Sequence, residues 1–246
     1  MSHSAPFILS LTEGLPFGPT PGCASFPCPP LTIWHCRFDA SRFQDQDYGR
    51  LGITPPSSVA GAVVKRRAEY LAGRATAAKV LDALGMADYP LLPDKHRAPR
   101  WPEKMQGSLT HHDSLAVCVG RLCAERPLSG VGVDIEHRLS ETAAEEIWPG
   151  IISAAECVYL RGLPQPFTVL LTLAFSAKES LFKALFPLTN RFFDFLDAQV
   201  VAVAEQRLTL ELTTALMPQL PAGVRFECGY AVSAKDVLTL LSFDDA

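Results

Sequence analysis

Apolar residues recur along the chain with two different spacings, and the spacing separates predicted helices from predicted strands. From residue 57 to residue 84 they recur every three or four positions, and Gly85 stands where a C-terminal cap is expected. A longer apolar helix is predicted at 167–186, where Pro187 is expected to end it. The remaining predicted elements are helical segments at 143–147 and 153–160 and strands at 32–38, 107–110, 115–121, 131–136, 198–203, 207–213, 225–232 and 237–243.

The N-terminal segment differs from the rest because Pro, Gly and Ser are concentrated there. This composition predicts an irregular lead-in over residues 1–30. Each of the following halves, residues 31–129 and residues 130–246, contains one long helix and several strands that suit antiparallel pairing. The predicted fold class is therefore α+β, with two similar halves that each pack a long helix on a small antiparallel sheet.

Composition and charge exclude several classes of protein. With 48% hydrophobic and 20% charged residues, the 246-residue chain has the balance of a soluble globular protein. Its net charge of −4 provides no general basic field that would attract nucleic acid. The longest apolar run, residues 167–175, is too short to span a bilayer, and no signal peptide is expected. The seven cysteines form no C-x-x-C pair, which argues against a zinc cluster and favours a reduced, cytoplasmic protein.

Two carboxylates share one face of the strand predicted at 131–136. Side chains alternate along a strand, so its three β-branched residues face a core while Asp134 and Glu136 lie on the other face, roughly 7 Å apart. Gly132 lies on that same face and is expected to leave room for a ligand. Paired carboxylates of this kind suit Mg²⁺. Taken alone, the pair is better explained as an exposed acidic strand end, because such ends are common.

A third carboxylate lies on the helix predicted at 167–186. Lys178 falls within the apolar arc of that helix, and Glu179 and Lys183 lie along its edge. Their spacing also fits a surface pair worth only about 0.2–0.5 kcal/mol. However, polar groups beside a buried face need partners. A metal shared with Asp134 and Glu136 would provide one for Glu179, and the two lysines could complement a phosphate.

The helix predicted at 57–84 carries a basic edge. Arg67 and Arg74 lie seven positions apart beside its apolar stripe, and arginine suits phosphate because its planar fork binds two oxygens. For Lys65 and Arg66 a solvated helix face is the preferred interpretation. His111, between two predicted strands, is by itself better explained as a hydrogen-bonded structural residue.

Five short segments between residues 57 and 187 occur in the order and at the spacing of one known family. They are L-A-G-R at 71–74, R-A-P at 97–99 followed by W-P at 101–102, G-S-L-T-H at 107–111, G-V-D-I-E at 132–136 and F-S-A-K-E-S-L-F-K-A at 175–184. Together they resemble the 4'-phosphopantetheinyl transferase superfamily, specifically its large pseudodimeric branch, the surfactin-synthetase and enterobactin-synthase activating type. The resemblance implies a monomeric enzyme of two halves related by pseudo-two-fold symmetry.

The reaction implied by the resemblance is transfer of the phosphopantetheine arm of coenzyme A to a serine of an acyl or peptidyl carrier protein, with release of adenosine 3',5'-bisphosphate. Asp134, Glu136 and Glu179 would hold Mg²⁺, for which Mn²⁺ could substitute. Asp134, Glu179 and Lys183 are the implied catalytic residues, with Glu179 also able to accept the serine proton and Lys183 acting on the leaving phosphate.

The predicted coenzyme A contacts combine the basic edge, the two helix lysines and the family's Ser-His pair. They are Arg67, Arg74, Arg97, Thr110, His111, Lys178 and Lys183. Two of these positions depart from the family pattern. Thr110 replaces the commoner serine, and Arg97-Ala98-Pro99 stands where many relatives have Gly-Lys-Pro.

Two other functions use the same residues. A Mg²⁺-dependent phosphohydrolase or nucleotidyltransferase would act on nucleotides without a protein acceptor, but the chain lacks a glycine-rich phosphate loop. A carrier-protein-binding module without catalysis would be expected to have lost Asp134, Glu179 or Lys183, and all three are present.

Overall fold

The computed structural model describes residues 6–17, 31–96, 98–123 and 128–244, and these divide between two compact units. The first unit comprises residues 6–16 and 31–123, and the second comprises residue 17 and residues 128–244. Each unit packs helices on an antiparallel sheet. The α+β prediction is therefore confirmed. Within the described ranges, no helix is both long and apolar enough to cross a membrane.

The first unit is a four-stranded antiparallel sheet in the order β1-β2-β4-β3, with a long helix, α3, packed on it. Small and aliphatic residues of α3, among them Ala68, Leu71 and Val80, are completely buried there. The elements of this unit are β1 (Ile8–Glu13), β2 (Thr32–Phe38), α1 (Gln46–Arg50), α2 (Ser57–Ala60), α3 (Val64–Ala83), β3 (Met105–His112) and β4 (Leu115–Leu122).

Two predictions for this unit were wrong. Residues 1–30 are not irregular throughout, because β1 pairs antiparallel with β2 and so gains a backbone partner that local composition does not reveal. The helix predicted at 57–84 is two helices, α2 and α3, because Gly61 ends the first and Val63 is extended. β-Branched residues such as valine have a lower helix propensity. The Val63 side chain is exposed, so it gains no burial that would offset this cost in a continuous helix.

The second unit is a five-stranded antiparallel sheet in the order β5-β9-β8-β7-β6, and the long helix α6 packs across β5 and β9. Its apolar core lies between α6 and the sheet and includes Leu181, Leu210 and Leu241. The elements are β5 (Ser129–His137), α4 (Glu141–Ile151), α5 (Ala154–Arg161), α6 (Phe167–Thr189), β6 (Ala198–Ala204), β7 (Arg207–Leu212), β8 (Arg225–Val232) and β9 (Asp236–Asp244).

Pro187 does not end α6, contrary to the prediction. The helix continues to Thr189 and ends at Asn190, whose φ of 46° is left-handed. A proline inside a helix removes one backbone donor and crowds the carbonyl four residues earlier, but the helix can continue where later donors are satisfied. The last turn is completed by the Thr189 hydroxyl, which donates to the Leu185 carbonyl, and by Asn190 N–H, which donates to Phe186.

Candidate active site

The close approach of α6 to β5 depends on two glycines. A Cβ placed on Gly132 would lie 1.8 Å from the carbonyl oxygen of Ser180, and one on Gly130 would lie 2.5 Å from that of Ala184. The sequence predicted that Gly132 would leave room for a ligand. This prediction was wrong, because the backbone of α6 fills the space beside Gly132. Glycine at these positions brings the polar edge of α6 against the carboxylate face of β5.

A buried hydroxyl cluster fixes α6 on the sheet. The Thr239 hydroxyl lies 2.9 Å from the Ser176 hydroxyl and 2.7 Å from the Ser180 hydroxyl, and Ser180 also donates to the Thr239 carbonyl. Thr239 lies on β9 directly opposite Asp134 of β5. Because buried hydroxyls are favourable only when hydrogen-bonded, the cluster specifies how α6 is rotated beside Asp134.

Lys183 and Asp134 form the central ion pair. The Lys183 ammonium lies 2.7 Å from Asp134 Oδ1 and also donates to the Val133 carbonyl at 3.1 Å. Asp134 is almost completely buried, whereas Lys183 is partly exposed. The pair therefore presents a partly accessible cation beside a carboxylate held inside the protein.

Glu136 and Glu179 belong to the same electrostatic group. Burial raises the pKa of Glu136 to about 7, helped by repulsion from Asp134 and opposed by Lys183. Burial also raises the pKa of Glu179, while Lys183 lowers it and Asp134 raises it. Asp134, Glu136 and Glu179, the predicted ligands, therefore interact electrostatically with one another and with Lys183, and Asp134 contacts the lysine directly. Three mutually repelling carboxylates with a single cation are a suitable donor set for a hard divalent metal.

A cavity of about 450 Å³ lies beside Glu179 and is lined by four phenylalanine rings together with Lys178, Glu179, Asp194 and Ala198. Phe182, Phe192 and Phe193 form part of its wall, and the Phe182 ring centroid lies 5.2 Å from that of Phe193. Glu179 therefore lines a cavity whose wall is partly aromatic and partly charged.

Lys178 lies in the interior of the second unit, although the sequence predicts a phosphate contact. Its ammonium donates to the Ile151 carbonyl at 2.9 Å and lies 3.0 Å from Glu156 Oε1. Burial lowers the pKa of Lys178, while Glu156 raises it. This arrangement does not support contact with a phosphate. Glu156 is a residue that the sequence analysis did not connect with the site, because its lysine partner is 22 positions away.

Arg74 of the first unit is a buried cation with an unsatisfied donor. It is 8% exposed, and within the described part of the chain its Nε has no hydrogen-bond partner. Its guanidinium lies 4.7 Å from the centroid of the Tyr70 ring. A buried arginine with an unused donor is arranged to receive an anion.

His111 lies against α3, where it contacts two residues, Arg66 and Glu69, that the sequence did not predict to bind coenzyme A. Its Nε2 is 3.2 Å from Arg66, and its Nδ1 is 3.9 Å from Glu69. Gly73 packs most closely against Leu109, since a Cβ there would be 3.2 Å from the Leu109 side chain but at an ordinary 3.8 Å from the His111 ring. Arg66, for which a solvated face was preferred, therefore contacts a predicted site residue. Thr110 precedes His111 on β3. Because side chains alternate along a strand, the Thr110 side chain lies on the opposite face of the sheet.

Arg67 is already engaged inside the first unit. Its guanidinium pairs with Asp45 and lies 5.6 Å from the centroid of the Phe43 ring. Asp45 is largely exposed, so solvent screens this pair. Arg97 lies outside the described residues.

Both units match family models of known proteins. Residues 55–119 match the 4'-phosphopantetheinyl transferase N-terminal domain, and residues 130–233 match the 4'-phosphopantetheinyl transferase superfamily. The chain belongs to this superfamily of transferases, which confirms the resemblance seen in the sequence.

Three curated relatives show how far the similarity extends. Enterobactin synthase component D of Escherichia coli O157:H7 is 32% identical over 89% of this chain and 97% of its own length. The protein of the same name from Salmonella typhi is 42% identical, over 60% of this chain and 59% of its own length. The 4'-phosphopantetheinyl transferase PptT of Mycobacterium tuberculosis is 34% identical over 65% of this chain and 73% of its own length.

Proposed function

We propose that this chain transfers 4'-phosphopantetheine from coenzyme A to a serine hydroxyl of an acyl or peptidyl carrier protein. The observation that carries the proposal is the Lys183–Asp134 ion pair together with the electrostatic coupling of Glu136 and Glu179 to both residues. Membership of the transferase superfamily and the names of the relatives support the choice of substrates.

Asp134, Glu136 and Glu179 would hold Mg²⁺, or Mn²⁺ in its place. When bound, the metal would neutralise charge on the pyrophosphate oxygens. The carboxylates themselves supply oxygen ligands, and their mutual repulsion disfavours the metal-free arrangement in which all three are ionised.

Glu179 and Lys183 would handle the proton. The carrier serine oxygen forms a bond to the phosphorus that bears pantetheine, and the bond from that phosphorus to the bridging oxygen breaks. Glu179 accepts the serine proton as the general base. Lys183 stabilises or protonates the departing phosphate, so that adenosine 3',5'-bisphosphate leaves.

Arg74 is the best supported contact for the nucleotide phosphates, since it is buried with an unused donor. His111, Arg67, Thr110 and Arg97 remain proposed contacts. We also propose a monomer, as the resemblance to the pseudodimeric branch implies. The five described cysteines are free, in keeping with the cytoplasmic location we propose.

The acceptor is proposed from the relatives' names. Enterobactin synthase component D is named for a synthase that makes a siderophore, so carrier domains of such synthases are the first acceptors to test, followed by fatty-acid and polyketide carriers.

The test is to measure adenosine 3',5'-bisphosphate released from coenzyme A with and without an apo carrier protein. A transferase requires the carrier and forms one product molecule per serine modified. Release that is independent of any carrier would instead indicate a Mg²⁺-dependent phosphohydrolase, and no release with any carrier class would indicate a binding module.

A further inference from the structure

Beneath the proposed metal site, a buried ion pair joins α5 to α6. We infer that Glu156 and Lys178 are positioning residues that hold Glu179 at the proposed metal site, an inference that rests on the proposed function. They act on Glu179 through the protein and make no contact with coenzyme A. This assigns Lys178 a role different from the phosphate contact that the sequence predicts.

Glu156 is held from two sides by backbone donors. It is the third residue of α5, and its Oε2 accepts a hydrogen bond of 2.9 Å from Ser153 N–H. Its Oε1 accepts one of 2.8 Å from Val200 N–H on β6. The carboxylate is only 3% exposed, so these donors fix it against both α5 and β6.

Lys178 brings α6 to this fixed carboxylate. Its ammonium is 3.0 Å from Glu156 Oε1 and donates to the Ile151 carbonyl at the end of α4. Lys178 is only 2% exposed. One side chain therefore attaches this turn of α6 to α4, α5 and, through Glu156, to β6.

The turn of α6 that carries Glu179 is therefore held on two faces. Lys178 precedes Glu179 and holds one face, while Ser180 follows it and is bonded to Thr239 of β9. Consecutive helical residues point about 100° apart, so any rotation that releases Lys178 also moves the Glu179 carboxylate. A buried ion pair is seldom more stabilising than an apolar pair of the same size. The Glu156–Lys178 pair therefore contributes mainly by fixing the position of Glu179.

Metal affinity distinguishes positioning from phosphate contact. The probe is Mn²⁺, measured by electron paramagnetic resonance on the wild type, Lys178→Met and Glu156→Gln, alongside steady-state kinetics. We expect each substitution to weaken Mn²⁺ binding about tenfold and to lower kcat, with little change in KM for coenzyme A. A larger KM for coenzyme A with unchanged Mn²⁺ affinity would overturn the inference and assign Lys178 to a phosphate. Unchanged values of both would also overturn it.

Loss of stability is controlled with two further variants. Leu220→Ala removes a fully buried side chain between β7 and β8, and we expect a lower melting temperature with unchanged Mn²⁺ affinity. The double variant Glu156→Gln/Lys178→Met removes both charges, and we expect it to be more stable than either single variant but still weak in Mn²⁺ binding. If the double variant recovers Mn²⁺ affinity as well as stability, the ion pair does not position Glu179.

Glu179→Gln separates this inference from the proposed function. If that substitution leaves Mn²⁺ affinity unchanged, the proposed metal site is wrong, and the inference falls with it. If Glu179→Gln weakens Mn²⁺ binding and Lys178→Met does not, only the positioning inference is wrong.

Discussion

Lys183 donates a hydrogen bond of 2.7 Å to Oδ1 of Asp134, although 49 positions separate the two residues along the chain. The contact joins α6 to β5, and the same lysine lowers the pKa of both Glu136 and Glu179. In a phosphoryl transfer reaction, an ammonium in this position would oppose the charge that develops on the leaving phosphate.

Lys183→Met should lower kcat by about 10²-fold to 10³-fold, the range for losing one group that stabilises transition-state charge. Its KM for coenzyme A should change much less. The matched control is Lys235→Met, because Lys235 is exposed between β8 and β9. Steady-state transfer assays measure both constants. Equal losses in the two variants would remove Lys183 from the reaction.

Gly132→Ala should impair both folding and activity. The new Cβ would lie 1.8 Å from the Ser180 carbonyl oxygen, so α6 must move away from β5. The expected loss in the free energy of unfolding is about 1–3 kcal/mol, as for other overpacked sites.

Gly150→Ala is the matched control for that substitution. Gly150 lies in α4, and a Cβ there meets nothing within 4 Å. Because alanine is favoured over glycine in helices by about 1 kcal/mol, this variant should be as stable as the wild type or more so. Urea unfolding and transfer assays should separate the two variants, and similar behaviour would show that α6 tolerates the displacement.

Arg74→Ala should raise KM for coenzyme A more than it lowers kcat, because the residue is proposed to bind a phosphate in the ground state. Adenosine 3',5'-bisphosphate should raise the melting temperature of the wild type but not of this variant. Arg50→Ala, which removes an exposed arginine, should behave like the wild type. An unchanged KM with reduced kcat would exclude Arg74 from ground-state binding.

The thiol of Cys228 should react very slowly in the folded protein. Burial raises its pKa from 9.0 to about 12, so at pH 8 about one molecule in ten thousand is a thiolate, against about one in ten when unfolded. Mass-resolved alkylation with and without urea measures the difference, and the partly exposed Cys123 is an internal control. Rapid native labelling of Cys228 would contradict its burial.

The same pKa shift predicts a pH dependence of stability. The folded-state pKa lies above the unfolded value of 9.0, so the native protein retains the thiol proton over a range in which the unfolded chain has lost it. This stabilisation is present below pH 9 and is lost between pH 9 and about 12, at about 1.4 kcal/mol per pH unit. From pH 8 to pH 10, the free energy of unfolding should therefore fall by about 1.4 kcal/mol more in the wild type than in Cys228→Ala. If the free energy of unfolding changes with pH in the same way in the wild type and in Cys228→Ala, the raised pKa of Cys228 is contradicted.

Local patterns predicted the elements well because their causes are local. Alternation along residues 131–136 correctly placed Asp134 and Glu136 on one face, and helical spacing placed Glu179 beside Lys183. The partners across the fold were not predictable in this way. Strand alternation does not reveal that a helix backbone occupies the space beside Gly132, and helical spacing does not reveal that Lys178 meets Glu156.

The central claim is tested most directly by weighing an apo carrier protein after incubation with this protein and coenzyme A. With Mg²⁺, the carrier should gain the mass of one phosphopantetheine, and the gain should disappear in EDTA and with Glu179→Gln. A carrier of every class that stays unmodified by the wild type, or a mass gain that persists in both EDTA and Glu179→Gln, would contradict the account.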